Sequence, residues 1–435
     1  MAQDGQPDHE EQEDTVSIEP PRRAMTRRAL LTGGVGAAAA IGAGRLLAAH
    51  GAAAPRRTAA AAAPAVELHL AATDGWASMP PSSRPNLPFW PDSLAPSQLD
   101  LYVFGFRDVT GLDAAAVTAQ RGKAQVSAPT LGFDEGVDIK LTLSNLGLSQ
   151  RPDLTDGHTV HWHGFQNAIP LFDGVPELSI SVPIGRDFTY FYRPRDPGTY
   201  MYHCHFEDVE HVQMGMTGLV YVRPAQNAHP VAGDPAGSRY AYNDGDGSTR
   251  YDREFGMLLN EVWAEAHYRD AHIQTTDWTD YAPSFWTING RSYPDTVAPN
   301  GDPMTPAAGR LRYQPNSSLV TANEGDRVLL RLANLGYQSH NLAADGIELT
   351  TVAKDATLLV GRDASTHFET GNSVEIAPGE SRDVLFTAPA PGTYLLYDRH
   401  LAFLTNGGAG GYGGQLTEIR VSPRGTRPAQ TTPNT

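Results

Sequence analysis

The same strand-and-turn unit occurs twice in this 435-residue chain. "DEGVDIKLTLSNLG" at 134–147 matches "NEGDRVLLRLANLG" at 323–336, and "PIGRDFTYFYRPRDPGTY" at 183–200 matches "APGESRDVLFTAPAPGTY" at 377–394. Self-similarity of this kind means that one folding unit is used twice. Each copy alternates apolar and polar residues between Gly, Pro and Asn, the pattern of half-buried strands joined by tight turns. The sequence therefore predicts an all-β fold of two β-sandwich domains in tandem, at 65–224 and 255–425. A turn-rich linker at 225–254 joins them, and a loose tail follows at 426–435.

Residues 1–64 read as targeting rather than fold. The first 24 are acidic and poor in apolar residues, a composition that cannot support a core. Then come the paired Arg27 and Arg28, an apolar run from Ala29 to Gly44 and small-residue cleavage candidates from Ala52 to Ala63. That order is the pattern of a twin-arginine (Tat) export signal, cleaved or kept as an anchor, and implies a periplasmic, extracellular or cell-surface protein. The formal net charge of -16 excludes a nucleic-acid partner, which needs a basic stripe to displace phosphate counterions.

Export sharpens the meaning of Cys204, the single cysteine. An exported thiol without a disulfide partner is open to oxidation, and metal ligation both deprotonates and shields it. Its neighbours support that use. Six of the 15 histidines lie between His158 and His211, in "DGHTVHWHGFQ" and "YHCHFEDVEHVQMGM". Strand alternation sends His203 and His205 to one face and Cys204 to the other, and likewise separates His161 and His163 from His158. One group is then Cys204 and His158, joined from the loop by His211 and Met216. Two imidazoles, one thiolate and a weak thioether are the donor set of a blue-copper electron-transfer site. Zinc, which takes four strong ligands, fits it less well. The other group is His161, His163, His203 and His205, an imidazole face able to hold further copper and a small oxidant. The backbone at Cys204 links the two groups.

"HTVHWHG" and "HCH…H….M" resemble the copper motifs of the multicopper oxidases. The resemblance implies two cupredoxin-like Greek-key domains, with type 1 copper on His158, Cys204, His211 and axial Met216, preferred over Met214 because the five-residue step from His211 is kept. It places His161, His163, His203 and His205 on the type 2/type 3 copper side and makes Asp173 an acidic proton donor. It also implies a small-molecule or metal-ion electron donor, with dioxygen as oxidant. The Cys204–His211 spacing is longer than the family's usual one by two residues.

The second repeat departs from the pattern: Tyr397, Asp398 and Arg399 stand where His203, Cys204 and His205 stand in the first, leaving only His340 and His400 near motif positions. Either these are packing histidines, or they complete the oxidant site across a subunit boundary in a homotrimer. Similarity to copper nitrite reductases, with His163, His203 and His340 as a shared copper trio, makes nitrite the alternative oxidant. A non-enzymatic blue-copper carrier is a third reading.

Overall fold

Registers repeat along with the sequence. Val66–Ser78 runs parallel to Ile139–Asn145 with Val66 opposite Ile139, and Arg253–Val262 runs parallel to Arg327–Asn334 with Arg253 opposite Val328. The shared "NLG" turn has a physical reason in both copies. Asn145 and Asn334 each accept the N–H of the glycine two residues on, both at 2.8 Å. Their amide groups reach across to the carbonyls of Val182 and Ile376 at 2.9 and 3.2 Å.

This computed structural model describes residues 65–302 and 309–435, which lie within one compact unit, Ala61–Thr435. The export-signal expectation falls on residues 1–64, outside the described residues. In the first sandwich one sheet has the order Asp100–Asp108, Val66–Ser78, Ile139–Asn145, Asp187–Tyr192. The facing sheet has the order Leu131–Asp134, Thr217–Arg223, Gly198–His203, His161–His163. Between them lies an aromatic-rich core that includes Phe104, Phe106, Trp162, Tyr190 and Tyr202, and Cys204 is part of it. The second sandwich encloses its own core around Phe255, Leu330, Val384 and Phe386. The all-β tandem expected from the repeat is the architecture found. Met201, Leu219, Leu258, Ala333 and Leu335 form an apolar seam between the halves.

The C-terminal tail is packed, not loose. Of strand Arg253–Val262, Phe285–Ile288 pairs with the last four residues, Leu259–Val262, so that edge has open backbone groups further back. Gln430 accepts the Glu254 N–H at 2.7 Å and donates to its carbonyl at 3.0 Å, and Asn434 does the same for Gly256 at 2.8 and 2.9 Å. Two tail side chains thus replace a missing strand, satisfying groups that burial would otherwise penalise.

Candidate metal centre

Cys204 follows directly on strand Gly198–His203, and its backbone N–H donates to the Met216 carbonyl at 3.2 Å. Its Sγ points into the sandwich, fully buried, 3.8 Å from His158 Nδ1 and 3.3 Å from His211 Nδ1. His158 comes from the neighbouring segment, where it bridges to Val182. His211 comes from the helix Asp208–Gln213, which turns the extended loop back over the thiol. Met216 is buried where the chain re-enters the sheet, and its N–H donates to the His211 carbonyl at 2.9 Å. Met214 caps that helix and lines a neighbouring cleft with Glu210 and Asp270.

The chemistry of this donor set suits copper. Burial alone pushes the Cys204 thiol up, but the His211 and His158 imidazoles outweigh it and hold the thiol well below its ordinary value. Burial lowers His211, yet the Cys204 sulfur and Asp156 more than reverse this, raising it to about 10. A thiolate beside two imidazole Nδ1 atoms suits a soft, redox-active cation, which on binding would displace the proton that His211 holds. Two residues that sequence reasoning passed over complete the setting. Thr159 directs its N–H at the sulfur from 3.4 Å, and Asp156 faces His211 Nε2 from 3.7 Å. Both lie within two residues of His158 in the chain, the one signal that could have marked them.

Behind the cysteine, the imidazole face is assembled by strand pairing: His161 lies opposite His203 and His163 opposite Met201. Donor atoms of His161, His163 and His203 fall within 4.8 Å of one another. The His205 ring stands beside them, 5.1 Å from that of His161 and 5.5 Å from that of His203. Burial lowers His161 and His163, and His203 falls to about 3, so these rings are neutral and their lone pairs are free for metal. Tautomers are set by the backbone: His161 Nδ1 donates to the Asp173 carbonyl at 2.6 Å and His203 Nδ1 to the Cys204 carbonyl at 2.9 Å, leaving each Nε2 for a ligand. The Asp173 carboxylate lies 3.6 Å from His161 Nδ1. Gly379 of the second sandwich faces the same cluster, and a Cβ there would sit 3.1 Å from His163 Nε2. Trp162 packs beneath, stacked on Tyr192 and Phe133.

His340 does not belong to this set, contrary to the expectation that it completes the trio with His163 and His203. It is fully buried, donating one ring N–H to Asp398 and the other to Glu261, both at 2.7 Å. With both nitrogens engaged and no surface, it can ligate no metal in its own chain or a neighbour's. The registers explain why. Tyr397 pairs with Ala343 and Leu416, as His203 pairs with His161 and Thr217 in the first sandwich. Asp398 therefore takes the place of Cys204, His340 that of His158 and Gln415 that of Met216. A carboxylate-clamped histidine fills the position of a second blue-copper site. Glu261 also accepts from the Tyr337 N–H at 2.6 Å and the Tyr281 hydroxyl at 3.0 Å. The Tyr337 hydroxyl in turn donates to the Val209 carbonyl of the copper-loop helix at 2.5 Å. His400, by contrast, is half exposed, with only Nδ1 held, 3.0 Å from Asp398.

A family profile described as multicopper oxidase matches residues 111–227, and a second of the same description matches 254–412. A curated relative, multicopper oxidase MCE of Talaromyces pinophilus, is 36% identical over 106 residues, 24% of this chain but only 16% of that protein. Among solved structures, a blue copper oxidase from Nitrosomonas europaea superposes with a TM-score of 0.58 at 23% identity, over 82% of this chain and 86% of the other. A copper nitrite reductase from the same organism superposes at 0.53 and 16% identity, over 86% and 98%. At these identities the structural likeness is one of fold.

Proposed function

The chain belongs to the multicopper oxidase family, and from that premise we propose that it is a copper oxidoreductase coupling one-electron oxidation of a small-molecule or metal-ion donor to reduction of dioxygen. One arrangement carries this reading: Cys204 Sγ lies beside two imidazole Nδ1 atoms, while His203 and His205, adjacent to it in the chain, belong to the histidine face behind. His158, Cys204, His211 and Met216 would hold a type 1 copper, and His161, His163, His203 and His205 would hold copper of the type 2/type 3 kind. Copper, when bound, supplies the one-electron redox chemistry and activates the oxidant. The protein's own work is positional. Cys204 provides a covalent path between the groups, burial keeps water from the sulfur, and Asp173 stands near His161 as a proton source for a reduced oxidant.

Four histidines from one chain make half a cage, and among the described residues the second sandwich adds no buried histidine to it. This favours completion by a second copy, and His400, with Nε2 free at the surface, is the residue we assign to that role in a homotrimer. The same scarcity supports a second reading, a two-copper enzyme acting on nitrite. We further propose export by the twin-arginine signal at Arg27 and Arg28, on the sequence pattern alone; fractionation of cells carrying Arg27→Lys/Arg28→Lys tests it. Copper content and oxygen uptake with a phenolic or ferrous donor, set against nitrite turnover, test the main reading. Oxygen uptake without nitrite turnover supports the oxidase, the reverse supports the reductase, and neither activity in copper-loaded protein contradicts both.

A further inference from the structure

A cleft of about 620 Å³ lies away from the copper residues, between the linker segment 235–253 and the C-terminal segment 427–431. Its charge is opposite to that of the chain. Arg239, Arg250, Arg253 and Arg427 line it against two carboxylates, Asp252 and Asp326, in a protein of formal charge -16. Arg250 pairs with Asp252 at 2.8 Å and Arg253 with Asp326 at 2.7 Å, which neutralises two guanidinium groups. Arg239 stacks over Tyr251, and the carboxylate nearest to it, Glu254 at 3.9 Å, is already held more closely by Arg223 and Arg331 at 2.7 and 3.1 Å. Arg427 has no carboxylate partner among the described residues, and its Nε is buried without an acceptor. Ser238, 8% exposed, stands on the same wall with its hydroxyl against Tyr240.

Arg239 and Arg427 thus bring to this cleft two positive charges beyond those that its own lining carboxylates, Asp252 and Asp326, balance. Guanidinium forks match oxoanions, and a surplus of two charges matches a dianion. We propose that this cleft binds a phosphoryl dianion, with Arg427 and Arg239 supplying the charge. A free phosphate leaves most of the cavity empty, so a phosphate monoester with an organic body is the better fit.

Calorimetry on the copper-loaded full chain at low ionic strength, titrating inorganic phosphate, glucose 6-phosphate and ionic-strength-matched chloride, tests this. Saturable binding of phosphate or the ester, absent for chloride, is expected. Arg427→Ala and Arg239→Gln should each weaken it by about tenfold or more while the blue absorption stays unchanged. Tighter binding of glucose 6-phosphate identifies the ester as ligand, and tighter binding of inorganic phosphate identifies the free ion. Because Arg427→Ala could loosen the tail, its melting curve is recorded, and Arg239→Gln, outside the tail, gives an independent reading. Heats no different from chloride, or affinity unaltered by both substitutions, overturn the proposal.

Discussion

Replacing His340 with leucine removes the cation from between two buried carboxylates. Glu261 and Asp398 are each 1% exposed or less, and each lies 2.7 Å from a ring nitrogen. Burial lowers His340, but the hydrogen bonds and charges of Asp398 and Glu261 outweigh it and raise the group above its ordinary value. The folded protein thus holds an imidazolium with a carboxylate on either side. Breaking a buried pair of this kind costs about 3–5 kcal/mol, a large share of a typical total of about 5–15 kcal/mol. Urea denaturation followed by far-ultraviolet circular dichroism reads this directly. The clamp's contribution is fully present below the unfolded-state histidine value of about 6.5 and fades as pH rises through the higher folded-state value, so this component of stability should decline with alkalinity in the parent and vanish in His340→Leu. A loss under about 1 kcal/mol, or the same alkaline decline in both proteins, would refute the clamp.

Cys204→Ser should abolish the blue colour and turnover together, whereas His161→Ala should keep the colour and lower turnover about 100-fold or more, as read by visible absorption and steady-state kinetics. Gly379→Ala places a Cβ 3.1 Å from His163 Nε2 at a backbone φ of +79°. It should reduce copper at the histidine face, measured by metal analysis, with the blue band intact. Chelating the copper should lower stability by about 4 kcal/mol where free metal had stood a thousandfold above its dissociation constant, seen as a lower urea midpoint.

Strand parity made the first sandwich legible. Alternation alone separates Cys204 from His203 and His205, and the pairing of His161 with His203 realises it. His340 was not legible, because its meaning lies in partners 58 and 79 residues away, and carboxylates have no ligand spacing to read. A histidine in a degenerate motif looks the same in sequence whether it holds a metal or a proton. The tail misled for a related reason. Its polar, Pro-containing composition suggested looseness, but Gln430 and Asn434 act by meeting backbone groups of another strand, a demand that pattern does not record. The arginine cleft likewise joins segments far apart in the chain.

Anomalous scattering at the copper edge, from crystals of copper-loaded protein, tests the central claim most directly. One peak is expected among Cys204 Sγ, His158 Nδ1 and His211 Nδ1, with further density beside His161, His163 and His203. A map with no peak at the sulfur, or with metal bound between Glu261 and Asp398 instead, would contradict the account.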